Sequence, residues 1–193
     1  MDSPAITEGI FMDKRQKTIG VKAIAYISVL TALSALANIF TVPLGGGSFA
    51  ISFAYIPAFI AGAFINPLGG FLTGILGDLL GCIIAPKGAI NPIILVTSGL
   101  LGLIPGLVFW IAKSRKIDTV RYSYVLTSIS FILLLIICIP LNTIGLYLFY
   151  FRTKGKALGA VFALRMSKQS IILAFNFIIT VIIQKPISKL IKI

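Results

Sequence analysis

Gly70-Phe71-Leu72-Thr73-Gly74-Ile75-Leu76-Gly77-Asp78-Leu79-Leu80-Gly81 places one carboxylate inside an apolar, glycine-studded run. Asp78 is the only acidic residue between Lys14 and Lys116. Charge in hydrocarbon costs several kcal/mol unless it is paired, hydrated or turned into a cavity. The stretch therefore reads as a membrane-crossing helix whose acid faces a protein interior. Gly74, Gly77 and Gly81, at spacings of three and four, let a neighbouring helix or a flat ligand approach the backbone.

Composition outside this stretch agrees. The 193 residues are 58% hydrophobic and 11% charged, with a mean hydropathy of +1.06, whereas soluble domains carry roughly 25% charged residues. A net charge of +12 would suit nucleic acid if the bases lined one soluble face. They fall instead in short runs between apolar blocks, where they orient a membrane protein. Histidine is absent, and Cys82 and Cys138 both lie in apolar segments. That leaves no zinc spacing and no disulfide framework. With no His–Asp pairing and no carboxylate pair in the spans, binding or transport is expected rather than catalysis.

The fold class expected is an all-α membrane protein, a compact bundle of six transmembrane helices. Each needs about 20 residues to cross roughly 30 Å of hydrocarbon. Apolar blocks place the spans near residues 22–42, 48–65, 67–84, 92–112, 124–148 and 165–183. Pro57, Pro105 and Pro140 fall inside the second, fourth and fifth, where each is expected to bend its helix. Residues 1–21 read as a flexible cytoplasmic extension and 22–193 as the membrane domain.

Lys14, Arg15, Lys17 and Lys22 precede the first span. Lys113, Arg115, Lys116 and Arg121 separate the fourth from the fifth, and Lys185, Lys189 and Lys192 follow the last. Six spans put all three clusters on one side, which the positive-inside rule makes cytoplasmic, with both termini. Arg152, Lys154, Lys156, Arg165 and Lys168 break that rule on the opposite side. Either late charges constrain topology weakly, or a basic mouth attracts an anionic solute there.

Several polar residues share the outer half of the spans with Asp78. Asp78 can pair with a neighbouring helix, contact a ligand or couple protons; a lone acid makes coupling the weaker reading. Asn142 and Thr143 follow the Pro140 bend, where side chains can bond in several directions. Tyr147 lies one turn further, at a depth where aromatic belts also place tyrosines. Arg165, Lys168 and Gln169 open the sixth span at spacings of three and four, suited to a carboxylate. Ser28, Thr31, Ala32 and Ala35 form a small-residue stripe on the first span, fit for close helix packing within the bundle or against another membrane protein. A phosphate-cradling Gly-x-x-x-x-Gly-Lys-Ser/Thr loop is absent, so any ATP-driven step needs another chain.

Asn66-Pro67-Leu68-Gly69-Gly70, the run Gly74 to Gly81, Leu141-Asn142-Thr143 with Leu146 and Tyr150, and Arg165-x-x-Lys168-Gln169 together resemble the substrate-binding (S) subunits of energy-coupling factor vitamin transporters. The likeness is closest to the folate branch and spans about 23–187. It departs from the usual pattern at Asn66, where relatives often carry glycine, and in the lysine-rich segment after Tyr150. What the resemblance implies is a subunit that captures folate outside and reorients to release it. A membrane coupling subunit and two cytoplasmic ATPases would be its partners, and the Ser28–Ala35 stripe would become the coupling surface. Asp78 or Asn142 would receive the pterin edge, while Arg165 and Lys168, with Arg152, would hold the glutamate carboxylates. No cofactor is expected in this chain; ATP would be used by the partners. The alternatives are another vitamin or precursor, such as hydroxymethylpyrimidine or pantothenate, or a stand-alone secondary transporter.

Overall fold

A computed structural model of the chain describes residues 20–40, 42–44, 49–86, 90–151 and 157–190. The elements are α1 (Val21–Ile39), β1 (Val42–Leu44), β2 (Phe49–Ile51), α2 (Tyr55–Ile60), α3 (Pro67–Ile84), α4 (Pro92–Ser114), α5 (Ser123–Leu146) and α6 (Leu158–Leu190). A π-helical turn, Ala61–Ile65, continues α2, and another, Tyr147–Phe151, continues α5. α1, α3, α4, α5 and α6 are each long and apolar enough to cross a membrane. The α2 segment, Tyr55–Ile65, is shorter.

On α3 and α5 the outward faces are apolar, and many of the inward residues are small or polar. On α3, Leu68, Leu72, Leu76 and Leu80 are exposed at every fourth residue, while Gly70, Thr73, Gly74, Gly77 and Gly81 are buried. On α5, Val125, Ile129, Ile132 and Ile136 face outward, and Thr127, Ser130 and Thr143 face inward. Lipid solvates the leucine and isoleucine faces, so small residues rather than bulky ones set the helix contacts.

Those contacts are backbone on backbone. A Cβ added at Gly62 would fall 1.9 Å from the Gly102 carbonyl oxygen, and one at Gly102 2.1 Å from that of Gly70. At Gly74 it would fall 2.0 Å from the Ser98 carbonyl oxygen. Nothing larger than hydrogen fits where α2, α3 and α4 cross. Beside this seam an apolar core forms around Phe59, Phe109 and Phe131. Phe59 stacks edge-on against Phe109 at 6.2 Å and tilts against Phe131 at 5.6 Å.

Asn-Pro opens both α3 and α4. The Asn66 side chain accepts from the Gly69 N–H, and Asn91 Oδ1 accepts from Ile93 N at 3.0 Å. Proline follows each at the first helical position, where its missing N–H costs nothing. Asn91 is buried, and its Nδ2 also donates to the Gly145 carbonyl at 2.9 Å, tying the start of α4 to the end of α5. Asn91→Ala is expected to cost about 2 kcal/mol, from a lost cap and an orphaned buried carbonyl. Thermal unfolding in detergent measures it.

Three expectations are corrected here. The segment near Ser48 does not begin a span: an antiparallel pairing of Val42–Leu44 with Phe49–Ile51 intervenes, so the helix starts at Tyr55. Pro57 therefore sits in the first turn of α2, where N–H groups have no intrahelical partner, and it is no kink. Pro105 and Pro140 do lie inside helices. Finally, α6 begins at Leu158 and runs past Pro186 to Leu190. Arg165, Lys168 and Gln169 thus lie two to three turns into α6 instead of opening it.

Candidate functional site

Asp78 sits where the later turns of α1, α3 and α5 meet the first turns of α2 and α4 and the turns of α6 around Gln169 and Leu173. Gly77 and Gly81 bring α1 against α3: a Cβ at Gly77 would meet Ser34 Oγ at 2.4 Å, and one at Gly81 would meet Asn38 Nδ2 at 2.8 Å. Gly74 does the same for α4. Asn38 Nδ2 consequently donates to Asp78 Oδ1 at 2.7 Å, and Ser98 Oγ donates to Oδ2 at 2.9 Å. Hydrogen bonds to an ionised acceptor are worth about 1.5–3 kcal/mol each, which offsets part of the cost of placing a carboxylate at this depth.

Beside this clamp lies a cavity of about 170 Å³. Asn38, Asp78 and Ser98 line one wall, and Asn142 lines it from α5. Among the described residues, the fully buried Asn142 Oδ1 accepts no hydrogen bond. Tyr55 and Gln169 close a third side and bond to one another, Gln169 Nε2 donating to the Tyr55 hydroxyl. Asn176, fully buried one turn below the Leu173 that lines the cavity, donates to the Ser52 carbonyl at 3.2 Å and fastens α6 to the segment before α2. Leu101, Leu134 and Cys138 supply apolar wall. Polar acceptors on one side and apolar wall on the other suit a flat, donor-bearing ring.

Of the residues singled out in the sequence, Asp78, Asn142 and Gln169 line the cavity. Thr143 does not: its hydroxyl is buried and donates to Ile139 O at 2.8 Å within α5. Tyr147 is half-buried in the π-helical turn, outside the described lining. Arg165 is half-buried one turn before Gln169, within electrostatic reach of Tyr55. Lys168 is half-buried next to Gln169, and neither cation is in the lining. Arg152 lies outside the described residues. The α1 stripe divides, with Thr31 and Ala35 buried against the bundle and only Ser28 and Ala32 exposed.

Asn38, Ser98 and Tyr55 escaped the sequence reading. Asn38 carried a usable signal, lying four residues after Ser34 in an apolar helix that otherwise lacks amide side chains up to that point. Tyr55 is separated from Gln169 by 114 positions, and no local pattern joins them.

A family model described as the substrate-specific component of the ECF transporter matches residues 22–188. A curated folate transporter, FolT of Clostridium novyi (strain NT), is 30% identical over 129 residues, covering 67% of this chain and 69% of that protein. A crystal structure of FolT bound with folic acid shares the fold at a TM-score of 0.60 and 24% identity, covering 83% of this chain and 91% of that one.

Proposed function

Because this chain belongs to the family of substrate-specific components of energy-coupling factor transporters, we propose that it captures folate in the Asp78 cavity and carries it into an ATP-driven importer. It is a multi-pass protein of a bacterial membrane, and its role in that family is transport rather than catalysis. The observation that carries the folate reading is a cavity lined by Asp78, whose carboxylate is clamped by Asn38 and Ser98, and by the amide of Asn142. A pterin offers adjacent N–H donors along one edge, and both acceptors are the right kind of partner.

At about 170 Å³ the cavity is smaller than the ~300–1,000 Å³ of sites that engulf a whole drug-sized ligand. One ring system therefore sits inside, and the glutamate tail extends along the start of α6. Arg165, one turn before Gln169, and Lys168 stand along that route; Arg152, outside the described residues, is proposed as a third partner on its charge alone. Their charge-assisted bonds suit paired carboxylates.

By the positive-inside rule, the basic residues near Lys22, between α4 and α5, and from Lys185 onward at the end of α6 mark the opposite end as cytoplasmic, with both termini and six crossings. The cavity then opens outward. A membrane coupling subunit and two cytoplasmic ATPases are the partners, since this chain carries no nucleotide-binding loop. The exposed Ser28 and Ala32 are the part of the α1 stripe accessible to the coupling subunit; Thr31 and Ala35 serve packing.

Calorimetric titration of the purified chain with folate, pantothenate and hydroxymethylpyrimidine tests this. Tight binding of folate alone is expected; tight binding of another compound with none of folate at micromolar concentration would overturn it. Arg165→Ala and Lys168→Ala should each weaken folate about tenfold, the loss of a charge-assisted contact. A pterin lacking the tail should bind these variants as it binds the unaltered chain. A stand-alone transporter would instead move folate into liposomes without the ATPases, and no such flux is expected.

A further inference from the structure

Among the described residues, both donors to Asp78 are neutral, and they come from two different helices. Asn38 is delivered by α1 over Gly81, and Ser98 by α4 over Gly74. A carboxylate has about four lone-pair directions, and one on each oxygen is taken. We propose that Asn38 and Ser98 are positioning residues that act through Asp78, fixing the carboxylate so that both remaining directions face the cavity as a pair. A fixed pair matches a planar edge with two adjacent N–H donors, as an amidine or amino-heterocycle has, and rejects a ring with only one. The inference rests on Asp78 being a ligand contact and assigns the source of its selectivity.

The two halves of the clamp differ. Ser98 Oγ lies 2.9 Å from Asp78 Oδ2 and 3.1 Å from the Ile94 carbonyl in its own helix. Its single proton can go to either, so a ligand donor approaching Oδ2 leaves the hydroxyl with an alternative acceptor. Asn38 Nδ2, at 2.7 Å, holds the other oxygen from across the helix interface. Ser98 is therefore the half that can yield, while Asn38 holds its oxygen at the shorter distance and sets the carboxylate plane. Substitution at Asn38 should relax selectivity more than substitution at Ser98.

The experiment compares folate with its analogue lacking the ring amino group, by calorimetry on the full chain. The unaltered protein should prefer folate by about tenfold or more, the value of a hydrogen bond to a charged acceptor. In Asn38→Ala that preference should collapse toward unity, with the analogue's own affinity little changed. Ser98→Ala should lower it partially, and Ser98→Thr, which keeps the hydroxyl, should restore it. An Asn38→Ala variant that weakens both compounds equally would show a merely structural role and overturn the inference. If Asn38→Ala does not fold, the Ser98 pair decides: equal preference in Ser98→Ala and the unaltered chain overturns it. Failure of the unaltered chain to bind folate at all overturns the functional reading instead, a different and recognisable result.

Discussion

Asp78→Ala is expected to weaken folate binding by about 100- to 10,000-fold, the loss of two hydrogen bonds to an ionised acceptor at ~1.5–3 kcal/mol each. The substitution also leaves Asn38 Nδ2 and Ser98 Oγ without the partner that now orients them. Ser98 retains Ile94 O within reach, so the folded protein should survive better than its binding does. Asp78→Asn keeps the shape and one acceptor, and should fall between the two. Calorimetry and thermal unfolding on the same preparations separate the effects: affinity should collapse while the melting temperature shifts modestly. A variant that binds folate like the unaltered chain would remove Asp78 from the site.

Gly102→Ala is expected to be among the most damaging single changes to the fold. Its new methyl would lie 2.1 Å from the Gly70 carbonyl oxygen, with the Gly70 carbonyl carbon at 2.4 Å. No rotamer relieves a clash between a Cβ and backbone, so α3 and α4 must separate. Overpacking typically costs 1–3 kcal/mol and occasionally more, and about 3 kcal/mol is expected here. Separation would also move Ser98, four residues away, from Asp78. Gly159→Ala is the control, since a Cβ there meets nothing within 4 Å. It should leave stability unchanged to within about 1 kcal/mol. The comparison is made by thermal unfolding and by the yield of monodisperse protein in detergent.

The sequence made legible those features whose cost is local. A carboxylate amid leucines, an asparagine two residues after a proline inside a helix and a glutamine one turn after Arg165 each need a partner, and Asp78, Asn142 and Gln169 all line the cavity. α3 was legible from end to end because Asn66-Pro67 caps it and its leucine and glycine faces alternate with helical period. The β-hairpin was not, because a short apolar run such as Phe49-Ala50-Ile51 has the same hydropathy in a strand as in a helix. The start of α6 was missed because glycine and basic residues before Leu158 suggested a loop extending further, although Leu158 to Leu164 is rich in good helix formers. Tyr55, Asn38 and Ser98 owe their roles to which helices touch. That is decided by glycine contacts between α1, α3 and α4, which residue spacing within one helix does not specify.

The stripe on α1 shows the same limit. Four small residues at helical spacing look equivalent on a single helix, yet Thr31 and Ala35 face the bundle while Ser28 and Ala32 face outward. Only the exposed pair remains available to a partner.

The most direct test of the central claim is to purify the chain from bacteria grown with a mixture of vitamins and identify the retained small molecule by mass spectrometry. Folate is predicted, at near one equivalent per chain, and lost in Asp78→Ala purified in parallel. A different vitamin in equivalent amount, or folate retained equally by Asp78→Ala, would contradict the account.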